Sequence, residues 1–175
     1  MRYNQNHLST ILRSLIALLL IGSFQELSAR ESSFNSLDTL PVVFMIGENE
    51  SEYENLVSTC NDPLLTVCND SMDDAYKKWL GLLSDMEKYA ESNNFDIRGI
   101  KIWLNVFWNT DGSIKHLVFY PKPNSRNMNF DDLSEFFKTF QSNYSMEFTN
   151  EECFSHYGSA AFPTFADIYL GNEKE

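Results

Sequence analysis

Residues 100–120, IKIWLNVFWNTDGSIKHLVFY, constrain the fold more than any other stretch of the chain. Two β-rich apolar runs flank Asn109-Thr110-Asp111-Gly112, with an Asx residue opening the turn and a glycine where a left-handed backbone is needed. That is the chemistry of a type I turn followed by a G1 bulge, which closes a hairpin. The turn sets the register. Asn109 is expected to pair with Ser113, so Trp108, Val106, Leu104 and Ile102 lie across from Ile114, His116, Val118 and Tyr120. Side chains alternate along a strand, so these eight share one face, the expected core, with His116 as its polar member. The opposite face then carries Lys101, Trp103, Asn105, Phe107, Lys115, Leu117 and Phe119. Trp103, Phe107, Leu117 and Phe119 are too apolar to stand in water, which makes them the candidate binding face. Either residues 40–46 (LPVVFMI) cover them, as an extra strand or a clasp, or a partner does.

The start of the chain reads as an address. Arg2 and Arg13 precede an apolar run over residues 15–24, with small residues at Ser28 and Ala29. This is the pattern of a secretory signal, expected to span residues 1–29, and it is short for a membrane span. The protein is therefore expected to be exported, periplasmic or secreted, with no stable membrane insertion. Its net charge of −12 argues against nucleic acid and anionic lipid as partners. Export also changes the meaning of the three cysteines. Cys60 and Cys68 are the candidate disulfide, closing a small loop around Asp62-Pro63, with Cys153 left over.

Along the rest of the chain, Glu48, Glu50, Glu52 and Glu54 crowd the start of a short helix through Tyr53, Leu56 and Val57. A long amphipathic helix follows, capped by Asp70 or Ser71. Its apolar positions run from Met72 through Trp79, Leu82, Leu83 and Met86 to Ala90, and Asn93-Asn94 stops it. A second amphipathic helix is expected after Asn129, with Phe130, Leu133, Phe136, Phe137 and Phe140 as its buried stripe. Residues 144–148 read as a short strand, residues 151–162 as a loop, and residues 164–170 as a final strand. The expected fold class is α+β, a small antiparallel sheet built on a central hairpin and packed against two amphipathic helices. In domain terms, residues 30–70 form an N-terminal extension with a short strand and a short helix, and residues 71–175 the domain proper.

The long helix, the run Gly99…Phe107…Asp111-Gly112…Ile114, the second helix and the final strand resemble the C-terminal domain of TonB and its stand-alone relatives. The likeness covers roughly residues 72–170. FMIGE (44–48), NSRN (124–127) and FSHYGSAAFP (154–163) are similar to stretches of uncharacterised secreted proteins from Gram-negative bacteria. The TonB resemblance implies a sheet that captures a short peptide by strand addition. The chain departs from that family in lacking a Pro-rich spacer and in having Phe95-Asp96 where the family has Tyr-Pro, so it implies no energy transducer.

Candidate chemistry is thin. Cys153-x-x-His156 is the one pair from which a hydrolase or a metal site could be built, with Glu152 as orienter or Cys60 and Cys68 as further ligands. The spacing suits neither well, and no catalytic residue, metal or cofactor is expected. His116 reads as a hydrogen-bonded structural histidine. The sequence thus points to an exported, non-enzymatic protein-interaction or envelope-assembly domain with a protein or peptide partner.

Overall fold

The computed structural model describes residues 40–171, so the expected signal peptide and leader lie outside the described residues. Helix α1 (Glu50–Thr59) follows a short edge strand, β1 (Val43–Met45). The two-residue strand β2 (Asp62–Pro63) leads into a single helical turn, α2 (Leu64–Val67). The long helix α3 (Met72–Ser92) is capped as its sequence requires: Ser71 Oγ accepts from the Asp74 N–H at 3.3 Å. It ends where Asn94 turns left-handed at φ 55°. Strands β3 (Lys101–Trp108) and β4 (Ile114–Pro121) come next, then α4 (Phe130–Asn143), capped by Asn129. The chain closes with β5 (Phe154–Ala161) and the short helix α5 (Ala166–Gly171).

The five strands form one sheet in the order β1-β4-β3-β5-β2. Its centre is antiparallel, but β1 runs parallel to β4 and β2 parallel to β5. The sheet is mixed rather than antiparallel. Both edge strands come from before Met72, so residues 40–70 complete the sheet instead of extending it. Residues 40–46 supply an edge strand, with Ile46 N–H donating to the Phe119 carbonyl. The two amphipathic helices pack on one face of the sheet, called the inner face below. Trp79, Leu82, Leu83 and Met86 of α3 and Leu133, Phe136, Phe137 and Phe140 of α4 share one buried cluster with Ile102, Leu104, Val106 and Trp108.

The hairpin register departs from expectation one step in from the turn. Trp108 pairs with Ile114, but Phe107 then pairs with His116, Val106 with Leu117 and Leu104 with Phe119. Two residues of β4, Ile114 and Lys115, oppose the single Trp108, which is a bulge. The bulge turns Leu117 and Phe119 inward and His116, Val118 and Tyr120 outward. Burial decides this contest. A bulge forfeits about one ladder hydrogen bond, worth roughly 1 kcal/mol. Burying a Leu and a Phe instead of a His and a Tyr contributes about 3–5 kcal/mol, and both Leu117 and Phe119 are fully buried.

Three further expectations are corrected. Residues 151–162 contain not a loop but β5, which pairs with β3 over eight residues. Its sequence, FSHYGSAA, hides the strand because Trp79 lies so close to Gly158 that a Cβ there would sit 2.9 Å from the indole. A glycine where backbone and ring meet removes the apolar alternation that sequence reading needs. Residues 164–170 form no strand; α5 stands there. Residues 144–148 form only an isolated bridge, Ser113 to Ser145, and Met146 N–H donates to the Gly112 carbonyl.

Candidate functional site

The outer face of the sheet is divided in two. Over one half, Leu40, Phe44, Leu56, Cys60, Phe107 and Val118 form a second, smaller core beneath α1. Tyr53 of α1 meets Phe107 edge-on at 6.2 Å and accepts a hydrogen bond from Asn105 Nδ2 at 3.1 Å. His116 lies in this half, its Nδ1 3.0 Å from the Pro41 carbonyl, and burial lowers its pKa. It is structural, as the sequence suggested, but on the outer face and not the inner one.

A disulfide closes this half. Cys60, at the end of α1, is bonded to Cys153, just before β5. The proposed Cys60–Cys68 bridge is therefore wrong. Cys68 is a buried free thiol belonging to the inner core, while Cys60 belongs to the outer one, so the sheet stands between them. The rival chemistry goes with it. Cys153 spends its sulfur on Cys60 and packs with the outer cluster. His156 faces inward, 4.5 Å from the Trp79 ring, and burial lowers its pKa. The two cannot act together as nucleophile and base or as paired ligands. Among the described residues, no three His, Cys, Asp or Glu side chains gather as a metal site.

Of the candidate binding face, only Trp103 remains. Phe107 is sealed under α1, and Leu117 and Phe119 are in the inner core. Trp103 is 40% exposed and stacks on Tyr157, with ring centres 5.9 Å apart. The Lys122 ammonium sits 3.9 Å from the Trp103 ring centre and donates to Ser159 Oγ. Tyr120, the β4 partner of Trp103, is also exposed, as is Tyr157. The open half of the outer face is thus an aromatic row across β4, β3 and β5, edged by Lys101 and Lys122. Sequence reading missed Tyr120 and Lys122 because the bulge moves them onto this face, and Tyr157 because its strand went unseen.

The outer edge of β5 adjoins this row. Phe162 N–H donates to the Ile100 carbonyl and Lys122 N–H to the Lys101 carbonyl, which fixes the phase of both ladders. The backbone groups of Ala160, Gly158 and His156 then point to β3, and those of Ala161, Ser159 and Tyr157 point outward. The short strand β2 pairs only with Phe154 and Ser155. Beyond them, no strand covers this edge among the described residues.

A cleft of about 640 Å³ lies between the end of α3 and the segment after β5. Its polar walls are structural. Glu87 accepts from the Thr164 N–H at 3.1 Å, and Asp96 accepts from Arg98 and Arg126. Hydrogen bonds from Arg98 hold the Asp96 carboxyl at a pKa of about 2. The NSRN stretch finds its use here, since Arg126 also donates to the Asp96 carbonyl.

No family model, curated protein or solved structure matches the chain. Among the described residues, no helix is long and apolar enough to cross a membrane.

Proposed function

We propose that the chain is an exported, non-enzymatic interaction domain that captures an extended peptide by adding it as a strand to the outer edge of β5. One observation carries the reading: the edge from Tyr157 to Ala161 is open, and none of its own residues is charged or proline. Natural sheets usually blunt such an edge with Lys, Pro or a bulge, because unpaired donors and acceptors recruit any strand that passes. An edge left unguarded beside exposed aromatic side chains suits main-chain capture, with neighbouring side chains giving selectivity. The Cys60–Cys153 bridge supports export, since such bonds persist in oxidising compartments. On this reading the segment from α3 to β5 works as a TonB C-terminal-like capture domain without the transducer. It serves as a protein-interaction or envelope-assembly part.

The test uses peptides selected from a random library against the purified chain. Bound peptide should slow amide exchange at Tyr157, Ser159 and Ala161. Ser159→Pro removes an outward donor while leaving the ladder to β3 intact, and should abolish capture. Peptides that protect other amides, or that bind the proline variant equally, would overturn the reading.

A further inference from the structure

We propose that the open half of the outer face binds an anionic polysaccharide, a chain of sugar rings carrying carboxylates at intervals. The inference goes beyond strand addition: it uses side chains on the face of the sheet and not the backbone of its edge, with Tyr157 and Ser159 bordering both.

The first observation is an unneutralised pair of like charges. Lys101 and Lys122 are cross-strand partners, joined by the Lys122 N–H to Lys101 carbonyl bond, and the alternation of β3 and β4 puts both side chains on the outer face. Lysines directly opposite one another destabilise a sheet by roughly 0.2–1 kcal/mol. Among the described residues, no carboxylate forms an ion pair with either one. This is out of character for a chain with 25 acidic and 13 basic side chains. The outward strand positions of the open half are Lys101, Trp103, Tyr120, Lys122, Tyr157 and Ser159, and none of these is an acid. A bound anion would turn the repulsion into attraction.

The second observation is that the cation is already placed. Lys122 reaches across Trp103 to Ser159, so its ammonium is held by a ring face and a hydroxyl with donors to spare. A ligand carboxylate meeting it finds a lysine whose flexibility is already spent.

The third observation names the rest of the ligand. Tyr120 is 50% exposed and Tyr157 54%. They stand on β4 and β5, two strand spacings across and two residues along, or roughly 12 Å apart, close to the length of a disaccharide unit. Sugar rings present flat C–H faces that stack on aromatic rings, and their hydroxyls suit the tyrosine hydroxyls and Ser159. A nucleic acid would offer rings and charge too, but its charge density of about one per 1.7 Å of duplex is set against the chain's net charge of −12. An acidic peptide such as polyglutamate would use the lysines but has no flat ring face of its own to stack on the two exposed rings.

The experiment titrates the purified chain with polygalacturonate, following tryptophan fluorescence. Dextran, polyglutamate and a single-stranded oligonucleotide serve as comparisons. Polygalacturonate should bind, and more tightly than any of the other three. Raising salt from 50 to 200 mM should weaken it roughly seven- to twelve-fold, as expected for about two phosphate-like contacts. Lys122→Gln and Tyr157→Ala should each weaken binding at least ten-fold with little change in melting temperature. Lys101→Gln supplies the sharper sign: weaker binding with equal or higher thermal stability, because the like-charge pair is gone. Absence of polygalacturonate binding, or equal binding of dextran, polyglutamate or the oligonucleotide, overturns the proposal. So does Lys122→Gln binding as the parent does.

Discussion

Removing the Cys60–Cys153 bridge is the perturbation whose size follows most directly from the structure. The bond joins residues 93 apart in sequence. On the chain-entropy account, closing a loop of that length in the unfolded state is worth about 4.6 kcal/mol, whereas a Cys60–Cys68 loop would be worth about 2.5 kcal/mol. The larger figure is a large share of the 5–15 kcal/mol that holds a domain together. At about 4 °C per kcal/mol for a domain of this size, Cys60→Ala/Cys153→Ala should melt some 15–20 °C below the parent. Thermal unfolding with and without reductant measures it. Reductant should lower the parent by a similar amount, leave the double variant unmoved, and act undiminished on Cys68→Ala. Non-reduced peptide mapping should recover Cys60 linked to Cys153. Recovery of a Cys60–Cys68 peptide, or a double variant melting within a few degrees of the parent, would refute the reasoning.

Two other outcomes are expected. His116 and His156 both have pKa values lowered by burial, so the fold binds fewer protons than the unfolded chain. Their contribution is complete above the unfolded histidine value of about 6.5 and is lost as pH falls through the lower folded values. The melting temperature should therefore hold from pH 8 to about 6.5 and decline below it, with a shallower decline in His116→Gln. Gly112→Ala should cost more than Gly47→Ala in urea unfolding. Both glycines have positive φ, at 82° and 97°, but a Cβ on Gly112 would run into the Met146 and Phe148 carbonyls, while Gly47 has open space. The strain alone is worth about 1–2 kcal/mol, so equal losses would show that the backbone clash does not matter.

What sequence reading recovers here is local, and what it misses is set by long-range packing. Ser71, Asn129 and the 3.6-residue stripes fix α3 and α4, because caps and helical periodicity depend on residues within a few positions. The turn at Asn109–Ser113 forms for the same reason, with Asn109 N–H donating to the Ser113 carbonyl at 2.9 Å. The register beyond it is a different kind of fact. Turn chemistry alone puts His116 inward, and only the helices waiting for Leu117 and Phe119 favour the bulge. Strand β5 is invisible for a related cause: its inward positions are Phe154, His156, Gly158 and Ala160, and the middle two are fitted to Trp79 and not to a periodic pattern. The missed strand carries the rest of the error, since without it Cys153 has no place beside Cys60 and Trp103 has no Tyr157 to stack on.

The bridge and the open surface are parts of one arrangement. Strand β5 is held at its start by Cys153, along its inner side by Trp79 against Gly158, and at its end by the Gly99 N–H to Phe162 carbonyl bond. A strand fixed at three points loses little further freedom when something docks on it, so more of the contact energy appears as affinity. The same fixing restrains the hazard. A charge-free edge invites pairing between copies, and a frayed or slipping edge would offer many registers for it. The small core beneath α1 makes the same division on the outer face, sealing Phe107 and Val118 while leaving Trp103, Tyr120 and Tyr157 in reach. Covering the aromatic row as well would bury two half-exposed tyrosines and a tryptophan, worth several kcal/mol at about 25 cal/mol per Å². Leaving them open, beside two lysines that repel each other, gives up stability that a ligand on this face would return.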